Sequence, residues 1–368
     1  MSSPDAVFDS PLPSAPLAEF RNFTPFPSHY FQTVDPHDNV FHVVAVRVTY
    51  TLRRVEPDGS LTFADEQTPL ALSDVCYGEV NRSSVKWESD LAPFKPMCDV
   101  LLVNASGYSP DGIARPRWPV KIEIGDWEKT LVVTGPRHFR RTQLGDYELT
   151  EPQPATQTPL TYEHACGGEN RFPGTSSPDE RPEVWEIDER NPVGCGLRHG
   201  NWLDRAKPEQ IPAPRIELPH RAYDGDPDYP VCGFGAIARP WLPRRALAGT
   251  FDEEWKQNRW PRLPLDHDYA YWNAAPQDQQ IDYPEGGEMI VLHNMHHRAR
   301  VAFRLPDHYF YGLIRLEAGP MLPKAMNLDT LTIDLAAYQL IAVYRTVVAA
   351  DAGVRVIEAR LAQESTDT

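Results

Sequence analysis

The chain has 368 residues, enough for one large domain or two of ordinary size. Hydrophobic residues make up 41% and charged residues 24%, a mixture typical of globular proteins, while the 37 prolines disfavour long helices. The 52 acidic residues outnumber the 36 basic ones, and the resulting net charge of −16 opposes general attraction to nucleic acid or anionic membranes. We therefore expect partners that are proteins, or ligands that are neutral or cationic.

The N-terminal residues 1–21 are rich in serine, proline and alanine and show no sustained hydrophobic period, which predicts a flexible arm. This segment lacks the basic start and the apolar core of a signal peptide. No apolar run in the chain is long enough to span a bilayer. We therefore predict a cytoplasmic protein without membrane insertion.

The cysteine pattern favours reduced thiols over a disulfide framework or a zinc site. The number of cysteines is odd, they are widely spaced, and no C-x-x-C pair occurs. They are Cys76, Cys98, Cys166, Cys195 and Cys232.

Residues 22–134 predict an N-terminal antiparallel β unit. Apolar residues at alternate positions of 40–52 predict a strand with one buried face, and the apolar run in 98–106 is typical of a fully buried strand. The stretch "PVKIEIGDWEKTLVVTG" predicts a hairpin, with Gly125 at the first position of a type II′ turn.

Residues 135–285 contain frequent prolines, so we predict a loop-dominated segment packed on the β core. Its best helical candidate is "FDEEWKQNRW", residues 251–260, because acids precede bases along it. Residues 286–350 return to a strand period, and 351–368 are expected to form a C-terminal tail. The predicted strands of this part are 300–305, 310–316, 328–335 and 339–348. The whole pattern predicts a mainly β fold with antiparallel, sandwich-like sheets and few short helices.

The stretch "CGFGAIA", residues 232–238, contains the letters of a dinucleotide-binding motif. That motif requires a buried strand before it and a helix after it. Pro240 and Pro243 would break such a helix, so we interpret the glycines as positions of tight turns and close packing. No cofactor is predicted.

Histidines and carboxylates cluster in two places without a known catalytic or metal spacing. His293, His296 and His297 lie in "HNMHH", but alternate residues of a strand face opposite sides, so a metal site is not favoured. Carboxylates that could act as acid and base in a hydrolase include the cluster 252–254 and the "DHD" stretch 266–268. A nucleophilic serine motif and a phosphate-binding loop motif are both absent from the sequence.

Several blocks combine aromatic with polar residues: "WESDLAPFKPMCDV", "RNPVGCG", "ARPWLPRRALAGTFDEEW" and "WNAAPQDQQ". Amide, carboxylate and guanidinium side chains can satisfy the backbone of a buried loop, so the blocks can be structural ties. Tryptophan, tyrosine and arginine also dominate protein interfaces, so the blocks can equally form a binding face. For "WNAAPQDQQ" we favour the structural interpretation, because Pro276 restricts Ala275 to an extended conformation and Asn273, Asp278 and Gln279 can bond neighbouring loops.

These blocks resemble a bacterial family catalogued as domain of unknown function 2169, whose members occur with type VI secretion components and are regarded as effector adaptors or chaperones. The matching stretches, in chain order, are "NFTPF" (22–26), "ADEQTPL" (64–70), "ESDLAPFKPMCDVLL" (88–102), "RNPVGCG" (190–196), "GFGAIARPWLPR" (233–244), "AGTFDEEW" (248–255), "LPLDHD" (263–268), "WNAAPQDQQ" (272–280), "GGE" (286–288), "FRLP" (303–306) and "LDTLTID" (328–334). Where the family has a Tyr-Glu-Arg-Ala-Phe-Gly-Gly type of stretch, this chain has "YEHACGG", so His164 and Cys166 depart from the pattern.

The resemblance implies a non-enzymatic protein of a Gram-negative cell that binds a secreted effector, or the spike-tip protein carrying it, and assists its loading for export. We expect the binding surface to lie around Trp241, Arg244, Arg245, Trp255, Trp272 and Asp278. Two alternatives stay open at this point. One is a carbohydrate-active or metal-assisted hydrolase that uses the acidic and histidine residues of the central loops, and the other is a permanent structural subunit of an assembly.

Overall fold

The computed structural model describes residues 13–171, 184–198, 203 and 206–362. Its strands, in chain order, are β1 (Glu19–Asn22), β2 (Ser28–Val34), β3 (Val40–Val55), β4 (Leu61–Phe63), β5 (Val75–Cys76), β6 (Val85–Trp87), β7 (Cys98–Val103), β8 (Ser106–Tyr108), β9 (Arg117–Ile124), β10 (Trp127–Thr134), β11 (His138–Arg141), β12 (Tyr147–Leu149), β13 (Gln157–Pro159), β14 (Cys166–Gly167), β15 (Glu169–Arg171), β16 (Val184–Ile187), β17 (Cys195–Gly196), β18 (Gln210–Pro212), β19 (Ile216–Glu217), β20 (Gln280–Ile281), β21 (Met289–His293), β22 (Arg300–Arg304), β23 (Phe310–Leu316), β24 (Met321–Ala325), β25 (Asn327–Asp334), β26 (Gln339–Ala349) and β27 (Val354–Leu361). The fold is mainly β with several antiparallel sheets, which confirms the predicted class.

The helices are short. The α-helices whose bounds lie within the described residues are α1 (Leu242–Arg245) and α2 (Glu253–Asn258), and single turns of 3-10 helix lie at Pro110–Gly112, Tyr162–His164, Tyr269–Trp272, Gln277–Gln279 and Ala350–Ala352. The predicted helix over 251–260 is thus found as α2. None of the helices described here has the length and apolar character needed to cross a membrane.

A seven-stranded sheet, in the order β2-β3-β26-β25-β7-β20 with β4 paired to β3, forms the centre of the fold. It combines strands from residues 22–134 with strands from residues 286–350, so these two predicted segments share one sheet. All neighbours are antiparallel except β7 and β25, which run parallel.

A separate five-stranded sheet, β19-β10-β9-β21-β22, contains the predicted hairpin, and Gly125 has the positive φ of 54° that a type II′ turn requires at its first position.

A four-stranded sheet, β1-β27-β23-β24, packs against one face of the central sheet. The rings of Phe310 in β23 and Tyr344 in β26 lie 4.4 Å apart between their centroids. Its strand β27 falls within the segment that was expected to be a C-terminal tail, and β1 includes the last residues of the predicted arm. The two pair in parallel, and the remaining parts of the predicted arm and tail, residues 1–12 and 363–368, lie outside the described residues.

The central strand β3 is buried on both faces, which corrects the prediction of a single buried face. Val46 and Tyr50 on one face are fully buried in the apolar core. Arg47 and Thr49 on the other face are only 3% and 0% exposed. The polar face is covered because residues 86–95 lie across it, with the ring of Trp87 5.3 Å from the guanidinium of Arg47.

Candidate functional site

The polar face of the central sheet carries a buried ionic layer in which cations and carboxylates are present in equal number. The cations are Arg47, Lys95, Arg244 and Arg345, and the carboxylates are Glu88, Asp90, Asp99 and Asp329. Ionised groups are costly to bury unless each is paired and hydrogen-bonded. The equal numbers of opposite charges therefore favour a structural role for this layer.

Lys95 lies at the centre of the ionic layer and uses all three donors of its ammonium group. Its Nζ donates to Oδ2 of Asp99 at 2.7 Å, to Oε2 of Glu88 at 3.0 Å and to Oγ1 of Thr330 at 3.0 Å. Burial alone would lower the pKa of Lys95, but the carboxylates of Asp99 and Glu88 raise it above the ordinary value. Lys95 is therefore a cation at neutral pH.

Glu88 connects Lys95 to the loop that contains α1. Its Oε1 accepts a hydrogen bond from Nη2 of Arg244 at 2.7 Å. Burial would raise the pKa of Glu88, but Lys95 and Arg244 lower it to about 2. Arg244 also donates to the carbonyl oxygens of Tyr271 and Ile237, each at 2.9 Å, so its guanidinium holds three chain segments together.

A second part of the ionic layer joins the covering segment, residues 86–95, to β3 and β26. Nη1 of Arg47 lies 2.6 Å from Oδ2 of Asp90, which also accepts from the backbone N–H of Ala71 at 2.7 Å. Nε of Arg345 donates to Asp329 at 2.5 Å, and its Nη1 donates to the carbonyl oxygen of Asp90 at 2.9 Å. Strands distant in sequence are thus tied to one loop.

The segment 272–280 is anchored to the same layer through Asp99. Nδ2 of Asn273 donates to Oδ1 of Asp99 at 2.9 Å and to the carbonyl oxygen of Met97 at 2.8 Å. The backbone N–H groups of Ala274 and Ala275 donate to the same carboxylate at 2.8 and 3.1 Å. These bonds support the structural interpretation of "WNAAPQDQQ".

The other end of this segment is held by Gln279 and Lys129. Nε2 of Gln279 donates to the carbonyl oxygens of Val100 at 2.7 Å and Phe234 at 3.0 Å. Nζ of Lys129 donates to Oε1 of Gln279 at 2.6 Å and to Oδ1 of Asp278 at 2.7 Å. Burial lowers the pKa of Lys129, and Asp278 opposes that shift.

Gly233, in the stretch 232–238, packs closely against an aromatic ring, as the interpretation of these glycines as close-packing positions predicts. A Cβ added to Gly233 would lie 2.5 Å from Cε1 of Tyr162, closer than carbon atoms approach one another. Phe234 is fully buried, and its carbonyl oxygen accepts from the N–H of Leu102 at 3.0 Å. The glycine at 233 therefore allows the chain to pass against an aromatic ring.

The carboxylates and histidine considered for hydrolysis make local hydrogen bonds. Oδ1 and Oδ2 of Asp266 accept from the backbone N–H and the hydroxyl of Thr250 at 2.9 and 2.6 Å. Asp252 and Asp268 accept backbone N–H groups at the starts of α2 and of the turn Tyr269–Trp272, each at 2.8 Å. His267 is buried, with Nδ1 3.0 Å from the carbonyl oxygen of Ala248. Each of these groups thus stabilises the loop in which it lies.

His293 has a different partner from His296 and His297, whose ring centroids lie 3.8 Å apart. Nε2 of His293 lies 2.7 Å from Oε2 of Glu123, while His296 is buried and lies 3.4 Å from the hydroxyl of Tyr338. His297 is exposed. Within the described parts of the chain, no group of three or more His, Cys, Asp or Glu side chains is arranged to hold a metal ion.

The six residues expected to form a binding surface do not share one environment. Trp241 is buried, with its ring 5.3 Å from that of Tyr162, and Arg244 is buried in the ionic layer. Trp255 and Trp272 are half-buried, whereas Arg245 and Asp278 are exposed. Trp241 and Arg244 can therefore influence a partner only by shaping the loop, and contact of the other four with a partner stays a prediction.

An exposed apolar surface surrounds α2 and includes residues that sequence reasoning missed. We call it the α2 surface and define it by Phe251, Trp255, Trp260 and Leu265. Phe251, Trp260 and Leu265 are 55%, 43% and 61% exposed. The rings of Phe251 and Trp255 lie 4.8 Å apart, and hydrogen bonds between Thr250 and Asp266 join the two ends of the stretch that carries Phe251 and Leu265. The sequence feature that indicates this surface is an aromatic residue or leucine every few positions in the proline-containing stretch "FDEEWKQNRWPRLPL".

The α2 surface is fixed to the rest of the protein by two arginines. Nη1 of Arg259 and Nη1 of Arg262 lie 3.1 and 3.2 Å from Oδ2 of Asp38, in the turn between β2 and β3. Nη2 of Arg259 also donates to the carbonyl oxygen of Pro36 at 2.6 Å. The exposed apolar side chains thus lie on a loop that is tied to the turn between β2 and β3.

Comparison with known proteins identifies one family. The family described as "Uncharacterized protein conserved in bacteria (DUF2169)" matches residues 37–345. No curated protein and no solved structure matches the chain significantly. The match includes most of the central sheet, the whole ionic layer and the α2 surface. The chain therefore belongs to the family of domain of unknown function 2169.

Proposed function

We propose that this protein is a non-enzymatic, cytoplasmic adaptor or chaperone, which binds a type VI secretion effector, or the spike-tip protein that carries it, and assists its loading for export. The observation that carries the proposal is the α2 surface. Contiguous exposed apolar side chains with polar neighbours are typical of protein interaction sites. Phe251, Trp260 and Leu265 are exposed apolar side chains of one loop, residues 251–265, and the exposed acidic residues 252–254 lie in the same loop.

The buried ionic layer supports the same proposal through rigidity. An adaptor that presents a preformed surface loses less conformational entropy when it binds than one that must first become ordered. The ties of Arg244 and Asn273 fix the segment 241–273 on which the α2 surface lies. The adaptor role is what the resemblance to this family implies, and the matching stretches include the loop that carries the α2 surface.

Deletion of the gene is the direct test in the cell. We expect the effector encoded beside it to become insoluble or to remain in the cell, while the secretion machinery still exports unrelated effectors. Normal solubility and export of every neighbouring protein would contradict the proposal. Turnover of a sugar, ester or phosphate that disappears in an Asp266→Asn or His267→Ala variant would instead establish the hydrolase alternative, and a permanent stoichiometric partner would establish a structural subunit.

A further inference from the structure

A groove lies where three chain segments meet: the end of β3, the turn between β21 and β22, and the turn between β25 and β26. It encloses about 450 Å³. The N–H of Leu52 donates to the carbonyl oxygen of Tyr338 at 2.8 Å, and His296 lies 3.4 Å from the Tyr338 hydroxyl. The backbone N–H of Arg298 donates to Nδ1 of the same histidine at 3.0 Å. The three segments are thus bonded to one another around the groove.

The rim of the groove is cationic and its floor is apolar. Arg53, Arg298 and Arg300 are exposed on the rim, and no ion pair joins any of them to a carboxylate of the described residues. The floor consists of Leu52, Val55, Val301, Ala302 and Leu335. Among the residues that the structure describes, none of those lining the groove is acidic. This arrangement contrasts with the net charge of −16 for the chain.

The positively charged groups of the groove affect the pKa of His296, which lies inside it. Burial lowers the pKa of His296, and the neighbouring His297 and Arg298 lower it further. A carboxylate placed among these groups would gain favourable electrostatic interactions, since unpaired cations of one sign attract the opposite charge.

We infer that this groove binds a protein segment in which carboxylate side chains flank an apolar side chain. The apolar side chain would contact Leu52 and Leu335, and the carboxylates would pair with Arg53, Arg298 and Arg300. A protein segment fits better than nucleic acid, because the overall negative charge of the protein opposes a polyanion that extends beyond the groove. The groove shares no residue with the α2 surface, and this inference holds whether or not the partner is a secretion effector.

Binding of a defined peptide to the full-length protein tests the inference. The probe is a fluorescein-labelled peptide with glutamates on both sides of a central leucine, measured by fluorescence anisotropy at low ionic strength. We expect saturable binding that weakens as salt is added. The combined variant Arg53→Glu, Arg298→Glu and Arg300→Glu should weaken binding about tenfold or more. A peptide with lysines in place of the glutamates should not bind.

The matched control reverses three exposed arginines elsewhere: Arg82→Glu, Arg140→Glu and Arg355→Glu. In a comparison at about 0.15 M salt it should leave the affinity within about twofold, because exposed charges more than about 8 Å apart are then largely screened. Circular dichroism checks that both variants are folded. Equal loss of affinity in the two variants would overturn the inference. Peptide binding that survives the groove variant would overturn it too, as would tighter binding of a single-stranded DNA oligonucleotide of matched charge.

Discussion

Lys95 and Asp99 form a buried ion pair, with Nζ 2.7 Å from Oδ2 and only 2% and 0% of the two side chains exposed. The same carboxylate accepts hydrogen bonds from Asn273, Ala274 and Ala275. Asp99 therefore connects the central sheet, the covering segment and the loop 272–280 in a single place.

Replacement of Asp99 by alanine should destabilise the protein strongly. The change removes one of the acceptors of Lys95 and of the Asn273 amide, as well as the acceptor of the Ala274 and Ala275 N–H groups, and loss of one member of a buried pair costs about 3–5 kcal/mol. Urea unfolding followed by circular dichroism measures the change. Asp126→Ala, at the exposed turn between β9 and β10, is the control and should change the free energy of unfolding by less than about 0.5 kcal/mol. Equal stability of the two variants would contradict the role of Asp99 as a stabilising buried partner of Lys95 and of the loop 272–280.

Gln279→Leu tests the tie at the other end of the loop. The change deletes the donors to Val100 and Phe234 and the acceptor for Lys129, and each unsatisfied buried group costs about 1–3 kcal/mol. Thermal unfolding should therefore occur at a clearly lower temperature. Gln277→Leu, two residues earlier and exposed, is the matched control and should have little effect. Similar shifts in both variants would show that the tie is not specific to Gln279.

Glu88 predicts a dependence of stability on pH. Its folded-state pKa is lowered from 4.5 to about 2, so its stabilisation is fully present above about pH 4.5 and is lost as the pH falls toward 2. That shift corresponds to about 3 kcal/mol. Glu88→Gln should therefore destabilise the protein most at neutral pH, and the difference from wild type should shrink in acid.

The measurement is the free energy of unfolding in urea at a series of pH values between 7 and about 2. Glu253→Gln, at an exposed position of α2, provides the control and should follow the wild-type curve. A gap between wild type and Glu88→Gln that stays constant across this range would contradict the lowered pKa.

Thiol chemistry offers a further prediction. All five cysteines are free, and burial raises the pKa of Cys166 to about 11 and of Cys195 and Cys232 to about 12. The thiolate is the reactive form, so these three should react slowly with iodoacetamide at pH 8 in the native protein and quickly in urea. Mass spectrometry of peptides locates the labelled residues. Rapid native labelling of Cys232 would contradict its burial.

Much of the fold could be predicted from hydrophobic periodicity. The strand predicted at 310–316 has the bounds of β23, and the hairpin at Gly125 forms as expected. The strands that were not predicted include β24 and β27, and each of these two has a physical reason. Pro323 argues against a strand in β24, yet it is tolerated because β24 lies at the edge of its sheet. The charges in β27 obscure its period, yet Glu358 is buried there because Arg315 and Arg360 pair with it.

The candidate site was less predictable, because its partners are far apart in the sequence. Arg244 follows a proline and precedes another arginine, a pattern typical of an exposed loop, but Glu88 supplies a buried counter-charge 156 residues earlier. The burial of Trp241 could not be predicted for the same reason. Tyr162, whose ring packs against it, is distant in the sequence and is brought close only by folding. The polar character of Arg47 and Thr49 suggested a solvent-facing side of β3, because periodicity does not show that another segment covers it.

Co-purification with the proteins encoded beside the gene tests the central claim most directly. The tagged full-length protein is compared with the combined variant Phe251→Ala, Trp260→Ala and Leu265→Ala, and with Leu144→Ala, which removes a leucine that is 91% exposed elsewhere. We predict that wild type and Leu144→Ala retain the same partner, while the α2 variant retains at most about a tenth as much, because exposed aromatic residues dominate interface energies. Retention of the partner by a folded α2 variant, or the absence of any partner from the wild-type sample, would contradict the account.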